Sequence, residues 1–163
     1  MVESNGRFCM ATYEKNILIR VEGLATKNNT YLFQNFVEKM LQENFKHFII
    51  DFSMCKGMDS TFMGVLLQIS NTVELKLLHV GVVCKKSLDS LGISRFFNII
   101  KEKKDLENFC YQILEGGECS KEKMVVMIHD AHTALIKANP ENKELFEAFL
   151  SDLSSEIKKY SKT

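Results

Sequence analysis

Three consecutive residues, Asp59, Ser60 and Thr61, carry the chemistry that stands out in this sequence. They follow a short apolar run over residues 48–52, rich in aromatic and β-branched types, and a polar loop holding Lys56 and Gly57. Behind them Phe62, Val65, Leu66 and Ile69 recur at helical spacing. That order predicts a buried strand, a loop and then a helix with Asp59 as its cap. An aspartate there accepts hydrogen bonds from first-turn amides that have no partner inside the helix. Ser60 and Thr61 then present hydroxyls at the positive end of the helix dipole, where amides can receive an added phosphate. The chemistry on offer is that of a hydroxyl to be modified.

The string Met58-Asp59-Ser60-Thr61-Phe62-Met63-Gly64 resembles the signature of the STAS domain, the fold of bacterial anti-sigma factor antagonists. The resemblance runs from Phe8 to Gly117 and implies an α/β fold with a mixed sheet. It implies phosphorylation by a partner kinase on the second hydroxyl, by position Thr61, with Ser60 as the alternative. The usual pattern has Gly next, whereas this chain has Phe62 with Gly64 two residues later. The longer string from Cys55 to Phe62 resembles a subgroup that has Phe there. The loop of Thr26, Lys27, Asn28 and Asn29 is implied to lie beside Met58, Asp59, Ser60, Thr61 and Met63 as a partner surface. The implied partner is an anti-sigma factor or a serine/threonine kinase of the ATPase-fold type, bound when the protein is unphosphorylated and released on phosphorylation. The alternative is a structural STAS subunit of a signalling scaffold, or of a membrane transporter's cytoplasmic side, with no phospho-switch.

The elements that must hold these residues are legible in order. Residues 7–13 and 16–23 read as two strands joined by a tight turn at Glu14-Lys15-Asn16. In the second, Ile17, Ile19 and Val21 alternate with Leu18, Arg20 and Glu22. A loop follows, then a helix over about residues 31–43 with Phe33, Phe36, Val37, Met40 and Leu41 on one face. The near-continuous apolar run 77–84 predicts a parallel strand covered on both faces. A short helical turn over 87–92, an edge strand over 96–100 and a helix over 105–114 complete the domain.

Gly116-Gly117 is the best boundary, giving residues 1–117 as the STAS-like domain and 118–163 as a C-terminal helical extension. Its first helix, about residues 121–138, has an apolar stripe of Met124, Met127 or Ile128, Ala131 and Leu135. Asn139 caps the second, with Pro140 at the first helical position, and Phe146, Phe149, Leu150, Leu153, Ile157 and Tyr160 form its seam. The connector admits only a helical hairpin, docked on its own domain or on a second copy in a homodimer.

Composition bounds the rest. The 163 residues carry 21 basic and 21 acidic side chains, so the net charge is zero and no nucleic-acid surface is indicated. No window has the length of a membrane span and the first residues lack a signal-peptide pattern, so direct membrane insertion is not expected. Five cysteines without a C-x-x-C pair read as reduced thiols of a cytoplasmic protein. No glycine-rich nucleotide loop and no nucleophile motif occur, so the expectation is a non-enzyme without cofactor, to which ATP comes through another protein. His129 and His132 have metal-compatible spacing but no third ligand, and are expected on a solvated face. His47 and His79 are expected at core or edge. Asp51, ending the middle strand, mimics the acceptor of a response-regulator receiver. A receiver also needs an acidic pair after its first strand, where this chain offers only Glu14.

Overall fold

Alternation with a period of two sets the architecture of the computed structural model, which describes residues 6–106 and 108–161. β1 (Arg7–Tyr13) and β2 (Asn16–Ala25) form an antiparallel hairpin, turned by Glu14 at φ 54°. β3 (His47–Met58), β4 (Glu74–Leu78) and β5 (Asn98–Ile100) continue in parallel from β2. β6 (Gln112–Ile113) adds antiparallel to the free edge of β1, giving the order β5-β4-β3-β2-β1-β6. This mixed sheet with its helices is the α/β class expected of the sequence.

The two faces of the sheet are unequal. On one, Phe8, Ile17, Ile19, Val21, Phe48, Ile50, Phe52 and Leu77 meet the buried sides of α1 (Thr30–Gln42), α2 (Ser60–Ser70) and α3 (Val82–Ser90). The rings of Phe8, Phe33 and Phe62 close that core, with centroids 5.3–5.8 Å apart. The opposite face carries a small cluster of Ala11, Leu18, Leu78 and Leu106, flanked by Ile49, Ile100, Phe109 and Tyr111.

Three expected elements differ. The strand expected over 77–84 ends at Leu78, because His79 at φ 57° turns the chain out of the sheet. Val82 and Val83 open α3 and are exposed, while Cys84 and Leu88, one helical turn apart, face the core. The helix expected over 105–114 is absent among the described residues. Leu106, Phe109 and Tyr111 cover the second face from irregular chain that ends in β6. The edge strand shrinks to β5, preceded by a 3-10 turn at Ser94–Phe96.

Beyond β6, Ser120 accepts from the Lys123 amide and caps α4 (Lys121–Ala138). Asn139 accepts from the Glu141 amide and starts a 3-10 turn, Pro140–Asn142, that leads into α5 (Lys143–Tyr160). The hairpin lies on the same chain's α2, burying Val125, Met127, Ile128, Ala131 and Leu135. α5 backs α4 through buried Leu153, with Phe146, Leu150 and Ile157 half-buried beside it. The connector is tied down as well. Buried Asn142 donates to the carbonyls of Leu91 and Leu135, each at 2.9 Å, and Asn139 donates to Leu91 at 3.1 Å.

Gly64 allows the helices to touch: a Cβ there would stand 2.3 Å from the Ala131 carbonyl oxygen. Gly64→Ala is therefore expected to push α4 off α2 and to destabilise the chain by about 1–3 kcal/mol, the usual range for an overpacked contact. Urea denaturation checks this, and an unchanged midpoint refutes the close contact.

Candidate functional site

Asp59 has extended backbone, and its amide donates to the Ala25 carbonyl at 3.0 Å. One carboxylate oxygen accepts from the Phe62 amide at 2.9 Å and caps α2. The other accepts from the Lys27 amide at 2.8 Å and draws the β2–α1 loop against the helix start. A single side chain thus joins the two loops at the ends of parallel β2 and β3.

The nine residues proposed for a partner surface are not equally available. Lys27 and Asn28 are exposed, and Thr26, Met58, Asp59 and Ser60 are half-buried. Asn29 is buried: its carbonyl oxygen accepts from the Thr26 amide, and its NH2 group donates to the carbonyls of Gly6 and Leu24. It holds the loop's shape and cannot reach a partner. Thr61 is 3% exposed and Met63 5%. Both lie in the first turn of α2, where the helix passes between sheet and hairpin, so neither belongs to an accessible surface.

Ser60 is the hydroxyl left at the rim, and it has a partner the sequence reading did not foresee. Its Oγ lies 2.7 Å from Nε2 of His132 on α4. Nδ1 of that ring lies 2.7 Å from the Ile128 carbonyl, which can only accept, so Nδ1 carries the proton and Nε2 receives the serine O–H. The ring is 2% exposed, with Phe146 and Phe149 set edge-on at 4.7 and 5.0 Å. Burial pushes its pKa below 6.5, against the opposing pull of the Ile128 carbonyl and of Asp59. The expected solvated face for both histidines is therefore wrong for His132. A signal was there: His132 falls on the stripe of Ile128, Ala131 and Leu135. His129 does lie towards the outside, near Asp130 and Ser154. Among the described residues no group of three or more side chains could hold a metal.

A second polar cluster lies across the sheet. Asp51, nearly buried, meets Nδ1 of His79 at 2.7 Å and Nε of Arg20 at 3.4 Å, and accepts from the Ser53 amide at 2.9 Å. Burial alone raises its pKa, but the bonds from His79 and Ser53 outweigh this and hold it below the ordinary carboxylate value. Nε2 of His79 accepts from the Lys104 amide at 3.2 Å, and Arg20 donates to the Leu106 carbonyl and covers the Tyr111 ring at 4.2 Å. With both oxygens engaged, Asp51 fastens the chain after β5 to the second face and bears no resemblance to an exposed phospho-acceptor.

Comparison with known proteins agrees with the fold. The family model of the STAS domain matches residues 8–106. A suspected anti-sigma factor antagonist of Thermotoga maritima superposes with a TM-score of 0.53 at 16% identity, over 56% of this chain and 84% of that one. An anti-sigma factor antagonist of Mycobacterium paratuberculosis superposes with a TM-score of 0.54 at 10% identity, over 60% of this chain and 87% of that one. At these identities the likeness is one of fold. No curated protein matches the sequence. α4 and α5 lie outside the matched residues.

Two outcomes follow from the geometry. Asp59→Ala removes the cap of α2 and the tether of the Lys27 amide, and is expected to cost about 1 kcal/mol or somewhat more by chemical denaturation. For His132, the unfolded ring takes up a proton near pH 6.5 and the folded ring only at lower pH. The unfolded state binds more protons in that window, so stability falls as pH drops below about 6.5. His132→Gln is expected to flatten this part of the pH–stability curve, read from urea midpoints at successive pH values. An equal slope in both proteins contradicts a neutral, buried His132.

Proposed function

Because the chain belongs to the STAS domain family, we propose that it is a phospho-switch of the anti-sigma factor antagonist kind, with Ser60 as its switch residue. The two superposed structures carry that name, and the reading extends it to this chain. The carrying observation is the Ser60 hydroxyl at the start of a capped helix, held at 2.7 Å by His132 from outside the matched family segment. Thr61, the hydroxyl favoured by position, gives way to Ser60 because it is buried in the first turn of α2. In its unmodified form the protein binds an anti-sigma factor or an ATPase-fold serine/threonine kinase in the cytoplasm. The surface is the rim of Thr26, Lys27, Asn28, Met58, Asp59 and Ser60. It works by binding and performs no catalysis of its own.

The appended segment, residues 118–163, acts as a cover on this site. A phosphoryl group on Ser60 Oγ occupies the space that Nε2 of His132 fills, so modification shifts α4. At the helix N-terminus the phosphate is favoured by about 0.3–1 kcal/mol. A partner meets it differently. It brings about −1.5 to −2 charges beside Asp59. Facing one partner carboxylate at about 5 Å with an effective dielectric near 20, each unit costs roughly 3 kcal/mol. That is on the order of a hundredfold in affinity.

Mass spectrometry of protein from its native cells is expected to find phosphate on Ser60. Partner binding is expected to weaken at least tenfold with phosphoserine at 60 and to persist in Ser60→Ala. Phosphate on Thr61 alone, or equal binding by both forms, overturns the mechanism. Recovery of an unphosphorylated chain in a multi-subunit scaffold supports the structural-subunit reading instead.

A further inference from the structure

Two of the five cysteines are in contact across the fold. Cys55 lies on β3, in the stretch that leads to Asp59, and Cys84 is the third residue of α3. Their sulfurs are 3.6 Å apart, with the Cys84 thiol directed at Cys55 Sγ and the Cys55 thiol at the Gly57 carbonyl, 3.4 Å away. Cys84 is 1% exposed, whereas Cys55 is half-buried. Cys9, Cys110 and Cys119 are likewise free thiols.

We propose that Cys55 and Cys84 are a peroxide-oxidisable pair that closes to a disulfide between β3 and α3. The sulfurs need to approach to about 2.05 Å, a shift of about 1.5 Å shared between two side chains already in contact. Each thiol shifts the protonation of the other. The contact with Cys55 lowers the Cys84 pKa despite burial, and the first turn of a helix also favours a thiolate. The bond with Cys84, followed by burial, raises that of Cys55. Cys55 is the sulfur that a peroxide can reach, and Cys84, buried behind it, is placed to resolve it.

A hydroperoxide, ROOH, is the oxidant. Cys55 gives its thiol proton to water, and its sulfur attacks the terminal peroxide oxygen. An S–O bond forms, the O–O bond breaks, and RO⁻ leaves to be protonated by water. Cys84 sulfur then attacks the Cys55 sulfenic acid. The S–S bond forms, the S–O bond breaks, and hydroxide departs with the Cys84 proton as water. Both sulfurs are oxidised and the peroxide is reduced to alcohol and water. The product tethers the approach to Asp59 onto α3, without requiring any role for Ser60.

The test uses the full chain and hydrogen peroxide, followed by alkylation of remaining thiols and peptide mapping without reductant. The expected result is a cross-linked peptide pair containing Cys55 and Cys84, an intact mass lower by two hydrogens, and two fewer thiols on unfolding. Dithiothreitol reverses all three. Cys55→Ser or Cys84→Ser abolishes the cross-link, and Cys110→Ser leaves it unchanged. Because a core serine could disturb folding, the wild-type thiol count and peptide map stand as the independent measure. A disulfide through Cys9, Cys110 or Cys119, or sulfinic acid on Cys55 with Cys84 still free, overturns the assignment.

Discussion

Contact between the backbones of α2 and α4 is the constraint on which the rest of this structure depends. It exists because residue 64 has no side chain, leaving no room between its Cα and the Ala131 carbonyl. Once the helices meet there, Ala131 is fully buried and His132 follows one residue on, at the level of Ser60. The serine hydroxyl then satisfies an imidazole that could not stay buried without a donor. Packing and polar satisfaction reinforce one another: the close approach puts the ring in the core, and the hydroxyl makes its burial tolerable. A bulkier residue at 64 disturbs both at once.

Asp59 plays the corresponding part at the loop level. Its two oxygens serve the Phe62 and Lys27 amides, so the helix start and the β2–α1 loop share one anchor. The buried Asn29 amide holds that loop from behind through Gly6 and Leu24. On the second face Asp51 repeats the device with different partners, using His79 and Arg20 to bring irregular chain back over the sheet. Carboxylates thus decide where the connecting segments go.

Local signals in the sequence identified what is locally determined. Asp59 and Asn139 announce their turns because a cap acts within three residues. The alternation of Ile17, Ile19 and Val21 reads directly as a strand face. Errors arise where burial comes from distant chain. Val82 and Val83 continue the apolar run after Leu78 and imitate a longer strand, although the turn at His79 makes them the exposed start of a helix. Leu106 and Phe109 share a helical spacing that records only their common burial on the second face. The site shows the same division. The aspartate and serine at the helix start are visible in one motif, whereas His132 lies 72 residues away from Ser60 and enters through packing alone. Burial of Thr61 and Met63 was equally hidden, since α4 is part of what covers α2.

Helix α2, with eight of its eleven residues buried, is a middle layer between sheet and hairpin. A ligand that meets such a helix end-on reaches only the half-buried rim of Met58, Asp59 and Ser60. Side-on approach requires the apolar flank already occupied by α4, and a ligand reading that flank competes with an intramolecular one. Its apparent dissociation constant is then the intrinsic one divided by the open fraction of the molecule. The hairpin thus sets a threshold for side-on ligands, which respond to how often the cover lifts.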